Sequence, residues 1–262
     1  MKYPEDYINK IIQGDCLDVM KEMPDNSVDL VVTSPPYDNL RDYKGYEFNF
    51  EGIANELYRV VKDGGVVVWV VGDATVNGSE TGTSFKQALY FKEIGFNLHD
   101  TMIWAKTKMP LNHNRYEQGF EYMFIFSNGK PKTFNGIRDK NNVEAGKTAH
   151  ASFRDKDGNV KKTSSFNKTK IATLGLRTNV WLNKPCLSNK DRNGHPAPFP
   201  EGLVQDHILS WSNEGDIILD PMNGSGTTTK MAKSLGRNFI GIEISEEYCK
   251  IAKDRLKQKK LL

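Results

Sequence analysis

The sequence predicts an α/β protein, a mostly parallel seven-stranded sheet covered by helices on both faces and interrupted by one basic insertion. Three observations carry that reading. Short apolar runs alternate with stretches of helical period on both sides of the insertion. Several of those runs are apolar at every position, as strands covered on both faces are. Between residues 130 and 192 the periodicity dissolves and charge gathers, with 15 Lys and Arg against 5 Asp and Glu. That segment holds +10 of a chain whose total is +3, which leaves −7 on the remainder.

Taken in order, 8–13 reads as a short strand closed by Gly14-Asp15, and 16–23 as one or two helical turns. Residues 28–33 form a continuous apolar strand that runs into a stiff Ser34-Pro35-Pro36-Tyr37 corner. Helical spacing at Ile53, Leu57, Tyr58 and Val61 predicts a helix over 50–62, ended by Asp63-Gly64-Gly65. A second apolar strand spans 66–71, and a helix over 84–94 stops at Gly95. Strands at 101–106 and 122–127 can pair, although the connection between them is long for a hairpin. From Gly129 to about Gly194, Gly, Asn, Lys, Thr and Ser dominate. Within that stretch FRDKDGNVKK reads as a turn, and Val180-Trp181-Leu182 as an isolated apolar group.

Order resumes with HPAPFPEGLVQDHILSWS, whose prolines lead into a helix. A strand at 216–219, a glycine loop opening a helix at 220–236, a strand at 239–244 and a helix at 246–258 complete the chain. Lys and Arg gather toward the end of that last helix, the favourable sense for its dipole. The division is thus 1–129, 130–193 and 194–262.

A length of 262 residues accommodates one sizeable α/β core with an insertion. No apolar run approaches the ~20 residues of a membrane helix, and MKYPEDYINK lacks the apolar centre of a signal peptide. Cys16, Cys186 and Cys249 stand far apart without ligand spacing, which points to a reducing, cytoplasmic setting and to no metal site. The segregated positive charge is the footprint of contact with a polyanion, with a solvated surface loop as the alternative on composition alone.

Two stretches carry chemistry. In LDPMNGSGTT, Gly224 and Gly226 permit a tight turn, and the helix from Thr227 points its amides and partial positive charge toward a ligand. A dinucleotide fingerprint needs a third glycine where Thr229 stands, and no Lys follows as a phosphate loop requires. A cofactor with a carboxylate for the loop and an ammonium for an acid fits better. Glu243 ends the next strand, where a carboxylate can grip a ribose. Asp220, Gly224, Gly226 and Glu243 together point to S-adenosylmethionine. At the other stretch, Pro35 and Pro36 hold the turn carbonyls and the Ser34 hydroxyl rigid. Rigid acceptors suit an exocyclic amino group, drawing its lone pair toward an electrophilic methyl. Tyr37 offers a face for an extruded base, a contact worth ~1 to 3 kcal/mol. The methylated amine is acidic enough to lose its proton to water, so no Asp or His is needed at the corner.

These motifs resemble an amino-methylating DNA methyltransferase of the bacterial and phage class in which the catalytic motif precedes the cofactor motif. TSPPY at 33–37 is similar to that family's catalytic motif, DPMNGSGTT to its methionine-binding loop, and GIEI with Glu243 to its ribose-binding strand end. GD at 14–15 resembles the strand end whose acid contacts the adenine, HPAPFP the segment closing over the methionine part, and EYMFIFS the strand beside the target base. The resemblance implies a Rossmann-like methyltransferase fold. Residues 1–129 would form the catalytic half, 130–193 the target-recognition insertion and 194–262 the cofactor-binding half. Catalysis would rest on Ser34, Pro35, Pro36 and Tyr37. S-adenosylmethionine would lie on Asp15, Cys16, Thr33, Pro200, Asp220, Pro221, Met222, Asn223, Gly224, Ser225, Gly226, Thr227 and Glu243. Arg41, Lys44, Lys161, Lys162, Lys168, Lys170 and Arg177 would contact double-stranded DNA.

Met222 stands where the family usually has Phe, and fills the same apolar space more flexibly. Ser34 favours N4 of cytosine as the target, because members with Asp or Asn at that place more often methylate N6 of adenine. Carbon-5 methylation needs a nucleophilic Cys, and the corner has none. An RNA or protein methyltransferase and a silent DNA-binding relative remain as alternatives. So do a cognate restriction endonuclease and a second copy of the chain as partners. The expected host is a bacterium, an archaeon or a phage, with no membrane involved. Trp69 and Trp104 read as core, Trp211 as packing its helix, and His99 and His113 as surface turns. Arg177 and Trp181 either contact DNA or anchor the recognition segment.

Overall fold

A computed structural model describes residues 1–36, 48–106, 115–148, 152–162, 170–182 and 199–257. In chain order the elements are β1 (Lys10–Gln13), α1 (Cys16–Lys21), β2 (Val28–Thr33), α2 (Phe50–Val60), β3 (Val61–Val71), β4 (Thr75–Val76), β5 (Ser79–Glu80) and α3 (Thr83–Glu93). Then come β6 (Asn97–Ala105), β7 (Phe120–Ser127), β8 (Arg138–Asn141), β9 (Ser152–Arg154), β10 (Val160–Lys162), β11 (Leu174–Leu176) and β12 (Val180–Leu182). The last are α4 (Glu201–Trp211), β13 (Ile217–Asp220), α5 (Thr227–Ser234), β14 (Asn238–Glu243) and α6 (Glu246–Lys257).

The main sheet runs β1-β14-β13-β2-β3-β7-β6-β12. Its first five strands are mutually parallel, β7 is antiparallel to both β3 and β6, and β12 runs parallel to β6. The expected seven-stranded sheet is thereby corrected to eight strands among the described residues. The addition is β12, built from the apolar group Val180-Trp181-Leu182. Three residues at a sheet edge, of which only Trp181 is buried, leave no alternation long enough to read as a strand.

Local chemistry explains the boundaries. The backbone turns extended at Val61, which pairs with Val28, so α2 ends directly into β3 with no intervening loop. Asp63-Gly64-Gly65, expected to stop the helix, is instead absorbed into β3, with Gly64 at φ +74°. FRDKDGNVKK forms the antiparallel β9–β10 pair around a loop in which Asp155 accepts from the amides of Asp157 and Asn159. His99, expected at a surface turn, lies on β6 with its ring edge-on to Trp211.

Trp69, Phe91 and Phe126 are fully buried in one core cluster, with Phe91 stacked on Phe126 at 4.5 Å between centroids. Phe91 holds α3 on the sheet through these rings, while α2 buries Ile53, Ala54, Leu57 and Val60. The Trp69 indole N–H is satisfied inside that core by Gln87 at 2.8 Å. The chain divides into two compact units. The larger comprises Met1–Asn135 and Asn179–Leu262, and the smaller Gly136–Thr178, built from the antiparallel β8–β11 and β9–β10 pairs. Strand β12 thus belongs to the larger unit, inside the 130–193 span expected for the insertion. Among the described residues no helix is long and apolar enough to cross a membrane.

Candidate active site

Parallel neighbours end on the same side, so β1, β14, β13 and β2 present their carboxyl ends along one edge of the sheet. Gln13 is in register with Glu243, Asp220 with Gly241, and Leu219 with Val31. Asp15, Thr33, Ser34, Asp220 and Glu243 therefore converge there, although up to 228 positions separate them in the sequence. Edges of this kind are where doubly wound sheets place ligands.

Hydrogen bonds join the corner to the glycine loop. The Thr33 hydroxyl donates to Asp220 Oδ1 at 2.8 Å, and the Thr228 hydroxyl donates to the Val32 carbonyl at 3.1 Å. Pro35 is buried and Ser34 half-buried at the end of β2. Gly226 sits at φ +82°, and a Cβ there would come 2.7 Å from the Ala252 Cβ. The amides of Gly224 and Gly226 are both engaged within the protein, on Glu243 Oε2 at 2.7 Å and on the Asn223 carbonyl at 2.8 Å. Those bonds fix the shape of the loop. Pro221, Asn223, Ser225 and Thr227 are buried beneath it, and Met222 packs against the hydrophobic core as an apolar filler. Pro200 is the N-cap of α4.

The acids are set against burial. Desolvation pushes the Asp220 carboxyl up to about 6, opposed by bonds from Thr33, Thr228 and the Met222 amide, and reinforced by the charge of Glu243. Burial raises Glu243 as well, against the amides of Ser245, Gly224 and Ile244. Two acids whose ionised forms are discouraged by desolvation favour a ligand that brings positive charge. Each Glu243 oxygen accepts one backbone amide, at 2.7 and 2.9 Å, and a carboxylate has further acceptor sites for ribose hydroxyls. Asp15 caps α1 by accepting from the Leu17 amide at 2.8 Å. The Cys16 thiol is pushed up to about 12 by burial and then by Asp15 and Glu243, so it stays neutral and acts as apolar wall. An ammonium, a ribose and an apolar body, the parts of S-adenosylmethionine, match this donor set.

Tyr37, Arg41, Lys44, Lys168, His113 and the HPAP of HPAPFP lie outside the described residues. In the smaller unit Lys161 and Lys162 lie on β10, and Lys161 pairs with Asp155 at 3.0 Å. Lys170 bridges to Thr148, and Arg177 Nε binds Asp139 at 2.9 Å. Trp181 is buried beside His207, with ring centroids 4.6 Å apart, as an anchor for β12. Sequence reasoning missed Arg255, Glu201 and Lys230, which meet behind the glycine loop. No local pattern announces them, because three charged residues on three helices look like solvated faces until the chain folds.

Comparison with known proteins gives the family and the fold. The protein-family model for N6/N4 methyltransferases, described as DNA methylase, matches residues 28–254. The orphan methyltransferase M.BamHII of Bacillus amyloliquefaciens is 56% identical over 246 residues, covering 91% of this chain and 92% of its own length. The structure of M1.HpyAVI in complex with SAM superposes with a TM-score of 0.63 at 27% identity, over 94% of this chain and 99% of that one. The cytosine-N4-specific PvuII DNA methyltransferase superposes at 0.70 with 20% identity, over 98% and 92%, a likeness of fold. The chain belongs to the N6/N4 DNA methylase family.

Proposed function

We propose that the chain transfers a methyl group from S-adenosylmethionine to the exocyclic amine of a base rotated out of double-stranded DNA, with N4 of cytosine as the target atom. The observation that carries this is the bond from Thr33 to Asp220, 2.8 Å long and buried, which ties the Ser34-Pro35-Pro36 corner to the glycine loop. A cofactor on the loop and a base at the corner would share one rigid frame. That proximity is what a displacement reaction requires.

Bound at this edge, the cofactor supplies an electrophilic methyl on a sulfonium. Asp220 and Glu243 balance its positive charge and hold its ribose, and the loop orients its amino-acid end. Ser34 and the carbonyl of Pro35 accept from the two amino hydrogens, directing the nitrogen lone pair outward. Proline supplies no competing backbone donor there. Extrusion of the base costs a few kcal/mol, offset by stacking on Tyr37. The hydroxyl of Ser34, in place of a carboxylate or amide, supports cytosine over adenine.

Nucleoside mass spectrometry on unmethylated DNA incubated with the purified chain and S-adenosylmethionine tests this. N4-methylcytosine is the expected product. N6-methyladenine would keep the corner chemistry and overturn the base assignment, and an unmodified digest from a cofactor-binding protein would overturn the reaction.

A further inference from the structure

Against the glycine loop, α6 presses one face on the backbone. Ala252 lies where a Cβ on Gly226 would fall, and three residues on, Arg255 is buried at 5% exposure. Its Nη1 donates to the Ser225 carbonyl at 2.7 Å, to the Ser225 hydroxyl at 3.1 Å and to the Thr227 hydroxyl at 3.1 Å. Its Nη2 donates to Glu201 Oε1 at 2.7 Å, the same oxygen that takes Lys230 Nζ at 2.6 Å. One side chain thus joins the cofactor loop, the first turn of α5 and the first turn of α4, directly after Pro200.

Arg255 stands in the last turn of α6, the favourable end of that helix for a cation, yet its guanidinium reaches the N-terminal turn of α5, whose N-cap Gly226 offers no side chain. The cluster contains two cations and one carboxylate, so it adds positive charge beside an end that is already positive. Burial alone would raise the Glu201 carboxyl, but Lys230 and Arg255 outweigh that and hold it below its usual range. An arrangement with surplus positive charge at a helix start suits an anionic ligand group. The planar fork also reaches several acceptors at once, which an ammonium cannot do.

We infer that Arg255 is a positioning residue for the cofactor, fixing the Ser225–Thr227 turn and complementing the carboxylate of the methionine moiety, with Glu201 orienting the guanidinium. This rests on the reading of that turn as the cofactor loop. Arg255 acts on cofactor affinity, and neither DNA binding nor the chemical step passes through it.

The test compares Arg255→Ala, Arg255→Lys and Glu201→Gln with the wild-type chain, measuring KM separately for S-adenosylmethionine and for DNA, kcat at saturating cofactor, and melting temperature. Arg255→Ala is expected to raise the cofactor KM about tenfold to a hundredfold, the loss typical of a charged hydrogen-bond donor. The DNA KM and kcat should stay within about twofold, since the corner is untouched. Added ethylguanidinium should restore the cofactor KM and ethylammonium should not, a distinction that a merely structural role would not produce. Arg255→Lys keeps the charge and most of the volume. It covers the case in which the alanine variant fails to fold, and its cofactor KM should still rise severalfold; a wild-type value there would overturn the requirement for the fork. Glu201→Gln should raise the cofactor KM less than Arg255→Ala does. Equal weakening of both KM values in step with a lowered melting temperature, without guanidinium rescue, would overturn the inference. Failure of the wild-type chain to bind S-adenosylmethionine would overturn the cofactor reading itself, and this inference with it.

Discussion

Among single residues, Asp220 joins structure to chemistry most directly, because its carboxyl is held up to about 6 against an ordinary 3.8. The folded chain keeps a proton on this group at pH values where the unfolded chain has released it. Stability from Asp220 is therefore full below about pH 4 and is lost as pH rises through about 6. A cationic cofactor needs the opposite form. Affinity for S-adenosylmethionine should rise with pH to a plateau above about 6, falling by up to tenfold per unit below it. Calorimetric titrations from pH 5 to 8 check this, and Asp220→Asn should give weak, pH-flat binding; a sloped profile in that variant would point to another group. On the proposed mechanism, Ser34→Ala removes an acceptor used only when the amine reacts. Turnover should fall on the order of a hundredfold while cofactor affinity holds, as for loss of one hydrogen-bonding group at a reacting centre. Pre-steady-state methyl transfer and a cofactor titration separate the two effects. Asp220, Glu243 and Ser34 stood out in the sequence as candidates because each sits inside a short local motif, and the fold places all three along one sheet edge. The bond from Thr33 to Asp220 was not legible in the sequence, since it spans 187 positions and exists only once β2 and β13 are neighbours.

At the level of elements, the site depends on a loop that only glycine can build. Gly226 combines φ +82° with a prospective Cβ contact of 2.7 Å to Ala252, so a substituent meets both backbone strain and α6. Gly226→Ala should lower the melting temperature by roughly 2 to 6 °C, the reach of a 1 to 3 kcal/mol strain in a chain of this size. Adding Ala252→Gly relieves the contact but not the φ, so recovery should be partial. Full recovery would show that contact, not conformation, sets the cost. The glycines were readable from sequence, but the partner helix was not. Residues 246–258 showed only charge and period, and both are compatible with a surface helix. Boundaries failed where two signals overlapped. Asp63-Gly64-Gly65 is a sound stop signal, yet pairing of Val61 with Val28 and of Val66 with Leu30 carries the strand through it. Tertiary pairing outweighed local preference there.

For the whole molecule, the basic span 130–192 encloses the smaller compact unit Gly136–Thr178. The compact unit Gly136–Thr178 has ten Lys and Arg against four Asp and Glu, while the chain outside 130–192 is acidic. Short antiparallel pairs with exposed Val160, Leu174 and Leu176 form that unit, so its sequence has no long apolar period to read. Its charge was legible where its strands were not, because net charge survives any folding pattern. Some of that charge is already paired, Lys161 with Asp155 and Arg177 with Asp139, and those acids are held below their usual range by the bonds from Lys161 and Arg177. Lys156, Lys162 and Lys170 serve as probes. Reversing all three to Glu should weaken duplex binding and flatten its dependence on salt, with the log–log slope falling by up to about 0.9 for each phosphate that the variant no longer neutralises. Cofactor affinity should stay at the wild-type value, since the acids and the glycine loop belong to the larger unit. Fluorescence anisotropy with a labelled duplex at several salt concentrations, beside a cofactor titration, reads both quantities. An unchanged slope would move DNA binding away from the basic unit, and weakened cofactor binding would mean that the two units are coupled rather than divided by task.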